Sequence, residues 1–176
     1  LVLAVFALAG CRSVSAHPSA PPGKTVASMT VTSRSIPPDG TIPVDATCDG
    51  RDRSPELSWS APPAGTKSLA VVVDDPDAPS GDFTHWLAFD IRPDVLSIPE
   101  GADVAEFGGA TGINSFHRPG YSGPCPPQGE MHRYVFHVLA LDTTIDPGLG
   151  SDRAALARAM SGHLLAEGGL AATFGH

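Results

Sequence analysis

The stretch SLAVVVDDPDAP, residues 68–79, joins an apolar run to three carboxylates and two prolines. Ser68 to Val73 shows no polar alternation, so it reads as a central strand buried on both faces rather than a half-exposed one. Asp74, Asp75 and Asp77 then stand at the mouth of a buried strand, where a charge is costly unless solvated or paired. Pro76 and Pro79 fix the backbone there and so set the directions of the acids. Two further runs, THWLAFDI (84–91) and RYVFHVLAL (133–141), are rich in β-branched and aromatic residues and predict strands of the same kind. A histidine stands at the edge of each: His85 beside Trp86 in the first, His132 just before the second. A stiff loop, GPCPPQG (123–129), leads into the second. If the three strands are neighbours, these edges converge.

Outward from this centre, SMTVTS (28–33) and LSWS (57–60) alternate as half-buried strands do, and PPAGT (62–66) is turn chemistry. Towards the end, Ser151 is positioned to cap a helix running through Ala154-Ala155-Leu156, Ala159-Met160 and Leu164-Leu165. Gly168 and Gly169 are expected to stop it, and Leu170 to Phe174 to add a last short strand. The pattern predicts one mainly β domain over residues 26–176 with a carboxyl-terminal helix.

Length and composition agree with one domain. The chain has 176 residues, 41% of them apolar, with Gly 19 and Pro 18. That proline and glycine content argues against a helix bundle. The net charge of −8, with no basic run, argues against a nucleic-acid partner. The first ten residues, LVLAVFALAG, are about half the length a membrane span needs and match the apolar region of a signal peptide. Leu8-Ala9-Gly10-Cys11 resembles the lipobox of bacterial lipoproteins. The resemblance implies a signal remnant at 1–10, a lipidated Cys11, and a Ser/Ala/Pro-rich tether over 11–25. It places the domain outside the cytoplasm, in a bacterial cell envelope and held to a membrane by the anchor. An ordinary signal peptide cut near Ala16, with Cys11 discarded, is the competing reading. Cys48 and Cys125 fit no zinc spacing. In an oxidising compartment they can pair; two separate buried thiols are the alternative.

The usual enzyme signatures are absent: there is no G-x-S-x-G, H-E-x-x-H or G-x-G-x-x-G. What is present is DPDAP, then His85-Trp86, then GPCPPQG followed by HRYVF. With CDG (48–50), SPELSW (54–59), GTKS (65–68) and GINSF (112–116), this order resembles the phosphatidylethanolamine-binding protein family, and its bacterial Raf-kinase-inhibitor-like branch most. The resemblance covers about Val26 to Phe174. It implies a large antiparallel sheet packed on a smaller one with a helix near the end, and a small pocket for phosphate or a phosphoethanolamine headgroup. The pocket is expected to take Asp75, His85, Pro126, Pro127, His132 and Tyr134, with Asp77 and Arg133 as a structural pair and Phe174 as an aromatic contact. Ser80 to Phe83 is shorter than the corresponding stretch of eukaryotic members.

The site residues carry their own logic. His85 and His132 can donate to an anion, each near its switching point at neutral pH. Asp75 would repel phosphate, so it either holds a histidine in its donor form or accepts a ligand's ammonium group. Asp74 is expected to be a solvated strand-end charge. The resemblance implies a binding module with no cofactor and no obligatory metal, whose ligand is a small anion or zwitterion such as a phospholipid headgroup. A protease is the protein partner it suggests. The competing reading is a metal-dependent phosphoester hydrolase with Asp75, Asp77, His85 and His132 as ligands.

Overall fold

The computed structural model describes residues 25–38, 40–79, 81–146 and 150–176. The expected signal remnant, Cys11 and nearly all of the tether lie outside the described residues. Among the described residues the strands are β1 (Ala27–Ser28), β2 (Val31–Thr32), β3 (Leu57–Trp59), β4 (Ser68–Asp75), β5 (Phe83–Ile91), β6 (Ser97–Ile98), β7 (Ala110–Thr111), β8 (Met131–Leu141) and β9 (Leu164–Gly175), with the helix α1 (Arg153–Met160) before the last. They form a six-stranded sheet in the order β1-β9-β8-β4-β5-β7 and a three-stranded sheet in the order β2-β3-β6.

β4 is the central strand that its unbroken apolar run predicts, with every residue buried. Its two faces serve two cores. Leu69, Val71 and Val73 join Tyr134, Phe136, Val138 and Trp86 in the core that also takes Leu57 and Trp59 of the small sheet. Ala70 and Val72 face the other way and pack with Leu87, Leu139, Leu156 and Met160 under α1. The period of two that separates these sets is the pleat of the strand.

Four sequence expectations are corrected. The large sheet is mixed rather than wholly antiparallel, because β1 pairs parallel with β9 at its edge. The alternating run at 28–33 is not one strand: β1 joins the large sheet and β2 the small one, paired with β3. The helix ends at Met160 and is capped by Asp152, whose carboxylate accepts from the Ala155 amide, rather than by Ser151. Gly168 and Gly169 do not stop it but lie inside β9, which pairs with β8 along its whole length. The reason is a close approach. A Cβ on Gly168 would sit 2.3 Å from the Met29 carbonyl oxygen, so only glycine lets the chain after β1 lie against β9. The fourth concerns Asp74, which is buried rather than solvated. It lies on the helix side of β4, where its carboxylate accepts from Thr84 Oγ1 at 2.6 Å and from Arg153 Nε at 3.2 Å.

Candidate functional site

The ends of β4, β5 and β8 converge, as adjacent strands in the order β8-β4-β5 must. Asp75 ends β4 on the face opposite Asp74. His132 and Tyr134 lie on β8, two residues apart and hence on one face. His85 needs a further device. Val73 pairs with Trp86 but Asp74 pairs with Thr84, so β5 carries one extra residue, His85, between two pairs. Without that bulge, alternation would put His85 on the helix side with Leu87. With it, the imidazole lies on the Tyr134 side, its ring centroid 5.2 Å from that of Tyr134.

These side chains line a hollow of about 310 Å³ that also takes Ala78, Pro79, Phe83, Phe116, Cys125, Pro126 and Pro127. All six residues expected at the pocket, Asp75, His85, Pro126, Pro127, His132 and Tyr134, are therefore brought together. Phe174 is not among them. It is buried in the main core, and the aromatic wall comes instead from Phe83 and Phe116, whose rings meet edge to face at 4.8 Å.

The proline wall is tied from several sides. Cys48 and Cys125 form a disulfide, the Cys48 amide donates to Pro124 O at 3.1 Å, and His176 Nε2 donates to Pro126 O at 2.7 Å. His176 lies close enough to both sulfurs to suggest a metal cluster, but the sulfurs are bonded to each other and offer no thiolates. Behind the other wall, buried Asn114 donates to Gly120 O at 3.1 Å and to Ser122 Oγ at 3.0 Å. That fixes the Ser122 carbonyl, which His85 Nδ1 meets at 2.7 Å. A carbonyl only accepts, so Nδ1 carries the proton and Nε2 of the neutral ring carries a lone pair. Burial holds the His85 imidazole below its ordinary pKa.

His132 is set differently. Its Nδ1 lies 2.8 Å from Asp75 Oδ2 and its Nε2 lies 3.1 Å from Glu130 Oε2. The bond to Asp75, aided by Glu130, raises its pKa against the effect of burial. Asp75 Oδ1 meanwhile accepts from the Asp77 amide at 2.9 Å. Of the two roles open to Asp75, the geometry gives it the first: it orients a histidine. Asp77 turns outward, where Oδ2 accepts from the Arg133 amide at 2.9 Å and Oδ1 lies 3.5 Å from Arg133 Nη2. The backbone bond fastens the DPDAP turn to β8; the exposed ion pair adds little. Because Asp77 faces Arg133 and both His132 nitrogens face carboxylates, the hydrolase reading lacks its ligand cluster among the described residues.

The floor is Tyr134. Its side chain is fully buried, and its hydroxyl makes no hydrogen bond of good geometry, although the Asp75 carboxylate lies near it. Burial first, and then the Asp75 carboxylate, push its pKa up, so it remains an O–H donor. Buried polar atoms without partners are rare in folded proteins and cost about 1–3 kcal/mol.

Comparison with known proteins agrees with this architecture. Residues 32–175 match the family model described as phosphatidylethanolamine-binding protein. The chain belongs to that family. It is 46% identical over 131 residues to a UPF0098 protein of Methanothermobacter thermautotrophicus, covering 73% of this chain and 86% of the relative. A UPF0098 protein of Aquifex aeolicus is 42% identical over 148 residues, covering 79% and 84%. Among solved structures, a family homologue from Chlamydia trachomatis superposes with a TM-score of 0.79 at 34% identity, covering 85% of this chain and 98% of that one. YbcL of E. coli, described as a member of the mammalian family, gives 0.78 at 32%, covering 84% and 98%.

Sequence reasoning missed Phe83, Phe116, Asn114, Ser122 and Glu130. Glu130 had a signal: it shares strand parity with His132 and Tyr134. Phe116 and Asn114 lie in the GINSF motif. The Ser122 contact is made by backbone, which leaves no mark in residue type.

Proposed function

We propose that the hollow binds a small phosphate-type anion, free or as a phosphoethanolamine headgroup, and that the protein acts by binding rather than by catalysis. The observation that carries this reading is the Tyr134 hydroxyl, a buried donor without a hydrogen bond of good geometry, on a residue that lines the hollow. A phosphate oxygen is a strong acceptor for it. Asp75 favours the charged form of His132, which would give the anion a cationic N–H in a protein of net charge −8. At about 310 Å³ the hollow is at the small end of ligand pockets, which suits a headgroup and leaves acyl tails outside.

Calorimetric titration with inorganic phosphate and with phosphoethanolamine tests this. The wild type is expected to bind at least one of them, and Tyr134→Phe to bind about ten- to a hundredfold more weakly, as loss of a hydrogen bond to a charged acceptor implies. Stability should stay level or rise, since the variant removes an unsatisfied buried group. No binding of either compound by the wild type, or equal binding by the variant, would refute the reading.

Export and attachment to a membrane through Cys11 belong to the same proposal and rest on the apolar run before that cysteine. Intact mass of the chain extracted from bacterial membranes is expected to include acyl groups that Cys11→Ser lacks. An unacylated wild-type chain would remove the anchor.

A further inference from the structure

The two carboxylates on His132 differ in kind. The Asp75 side chain is 5% exposed, and its second oxygen is already engaged by the Asp77 amide. The Glu130 side chain is 53% exposed and follows Gly129, whose φ of +85° turns the chain into β8. Asp75 is thus built into the wall, whereas Glu130 leans on the imidazole from the rim.

The donors available to an incoming anion are few. His85 Nδ1–H is given to Ser122 O, and its Nε2 is a lone pair while the ring is neutral. His132 Nδ1–H is given to Asp75. What remains is the Tyr134 hydroxyl, which is buried beside the hollow without a well-formed hydrogen bond, and His132 Nε2–H, which Glu130 covers at 3.1 Å. We propose that Glu130 is an internal competitor: its carboxylate fills the anion's seat on His132 when the hollow is empty, and a bound phosphate must displace it. This inference rests on the anion-binding reading above.

Displacement is physically easy. Glu130 is half exposed and regains water when it leaves, so its attraction to His132 is partly screened. Yet Glu130 is tethered two residues from His132, so it returns at a high effective concentration. It therefore lowers affinity for phosphate without abolishing binding. Its removal should tighten binding by about two- to fivefold, the factor that a weak ion pair with one exposed partner corresponds to.

The experiment compares wild type, Glu130→Gln and Glu106→Gln, titrated with inorganic phosphate at fixed ionic strength while the His132 imidazole is followed by NMR. Glu106 is exposed and outside the hollow, so its variant controls for the change in net charge. The expected result is that phosphate binds Glu130→Gln more tightly than the other two. In that variant alone, the His132 titration midpoint without phosphate should also fall, since a partner that favours the imidazolium is gone. If all three bind phosphate equally, or both variants tighten alike, Glu130 is not a competitor and anion binding stands. An unmoved His132 midpoint means the contact is not made in solution, and also overturns the proposal. If neither the wild type nor Glu130→Gln binds phosphate, the anion-binding reading fails and the competitor role fails with it.

Discussion

Replacing Asp75 with alanine is expected to destabilise the protein by about 3 kcal/mol, the lower end for removing one partner of a buried ion pair. The substitution strips the Asp77 amide of its acceptor and leaves His132 without the carboxylate on Nδ1. The sign of the pH dependence follows from His132. Its pKa in the folded chain is raised, so its contribution is fully present below the unfolded value of about 6.5 and is lost as pH rises through the folded one. The difference between wild type and variant should therefore be largest on the acid side and narrow as pH increases. His85 works in the opposite sense in both proteins. Burial lowers its pKa, so its contribution is present above about 6.5 and lost as pH falls. Urea unfolding at several pH values, read as the wild-type minus variant difference, isolates the His132 effect. A difference that grows with pH would contradict the pairing of His132 with Asp75.

The second large effect concerns the bond between Cys48 and Cys125, which are 77 residues apart in the chain. Closing a loop of that length restricts the unfolded chain by about 4 kcal/mol on the chain-entropy estimate. Replacing both cysteines with serine is expected to lower the melting temperature by about 10 °C for a domain of this size. The proposed phosphate binding should weaken as well, because Cys125 and the two prolines after it line the hollow. Thermal unfolding of wild type and double variant, with the disulfide verified by mass, decides the point. Equal melting temperatures would mean that the link does not restrain the unfolded chain.

The fold was legible where burial is extreme. SLAVVV has no polar alternation because neither face of β4 meets water, and the runs in β5 and β8 share that signature. The acids, histidines and prolines at the ends of those runs converge for the same reason, since strands that neighbour each other bring their ends together. Alternation misled at 28–33, where the chain passes from one sheet to the other and the pattern does not record which sheet it leaves. The pair Gly168-Gly169 misled because glycine marks both a helix stop and a close backbone approach, and the position of Met29 against Gly168 shows which applies there. Asp74 was misread because its partner, Arg153, is 79 residues away. The aromatic wall was misassigned because Phe174 faces the core, whereas Phe83 and Phe116 reach the hollow from segments that local pattern does not relate.

The extra residue in β5 bears on how this site can vary. His85 owes its place to a change in strand length and not to being a histidine, since the pairing on either side of it is made by main chain. Position 85 is thus a socket: the backbone aims whatever is plugged in there at the hollow. Exchanging the imidazole for an amide or a hydroxyl would change the chemistry that lines the hollow while the sheet around it keeps its register.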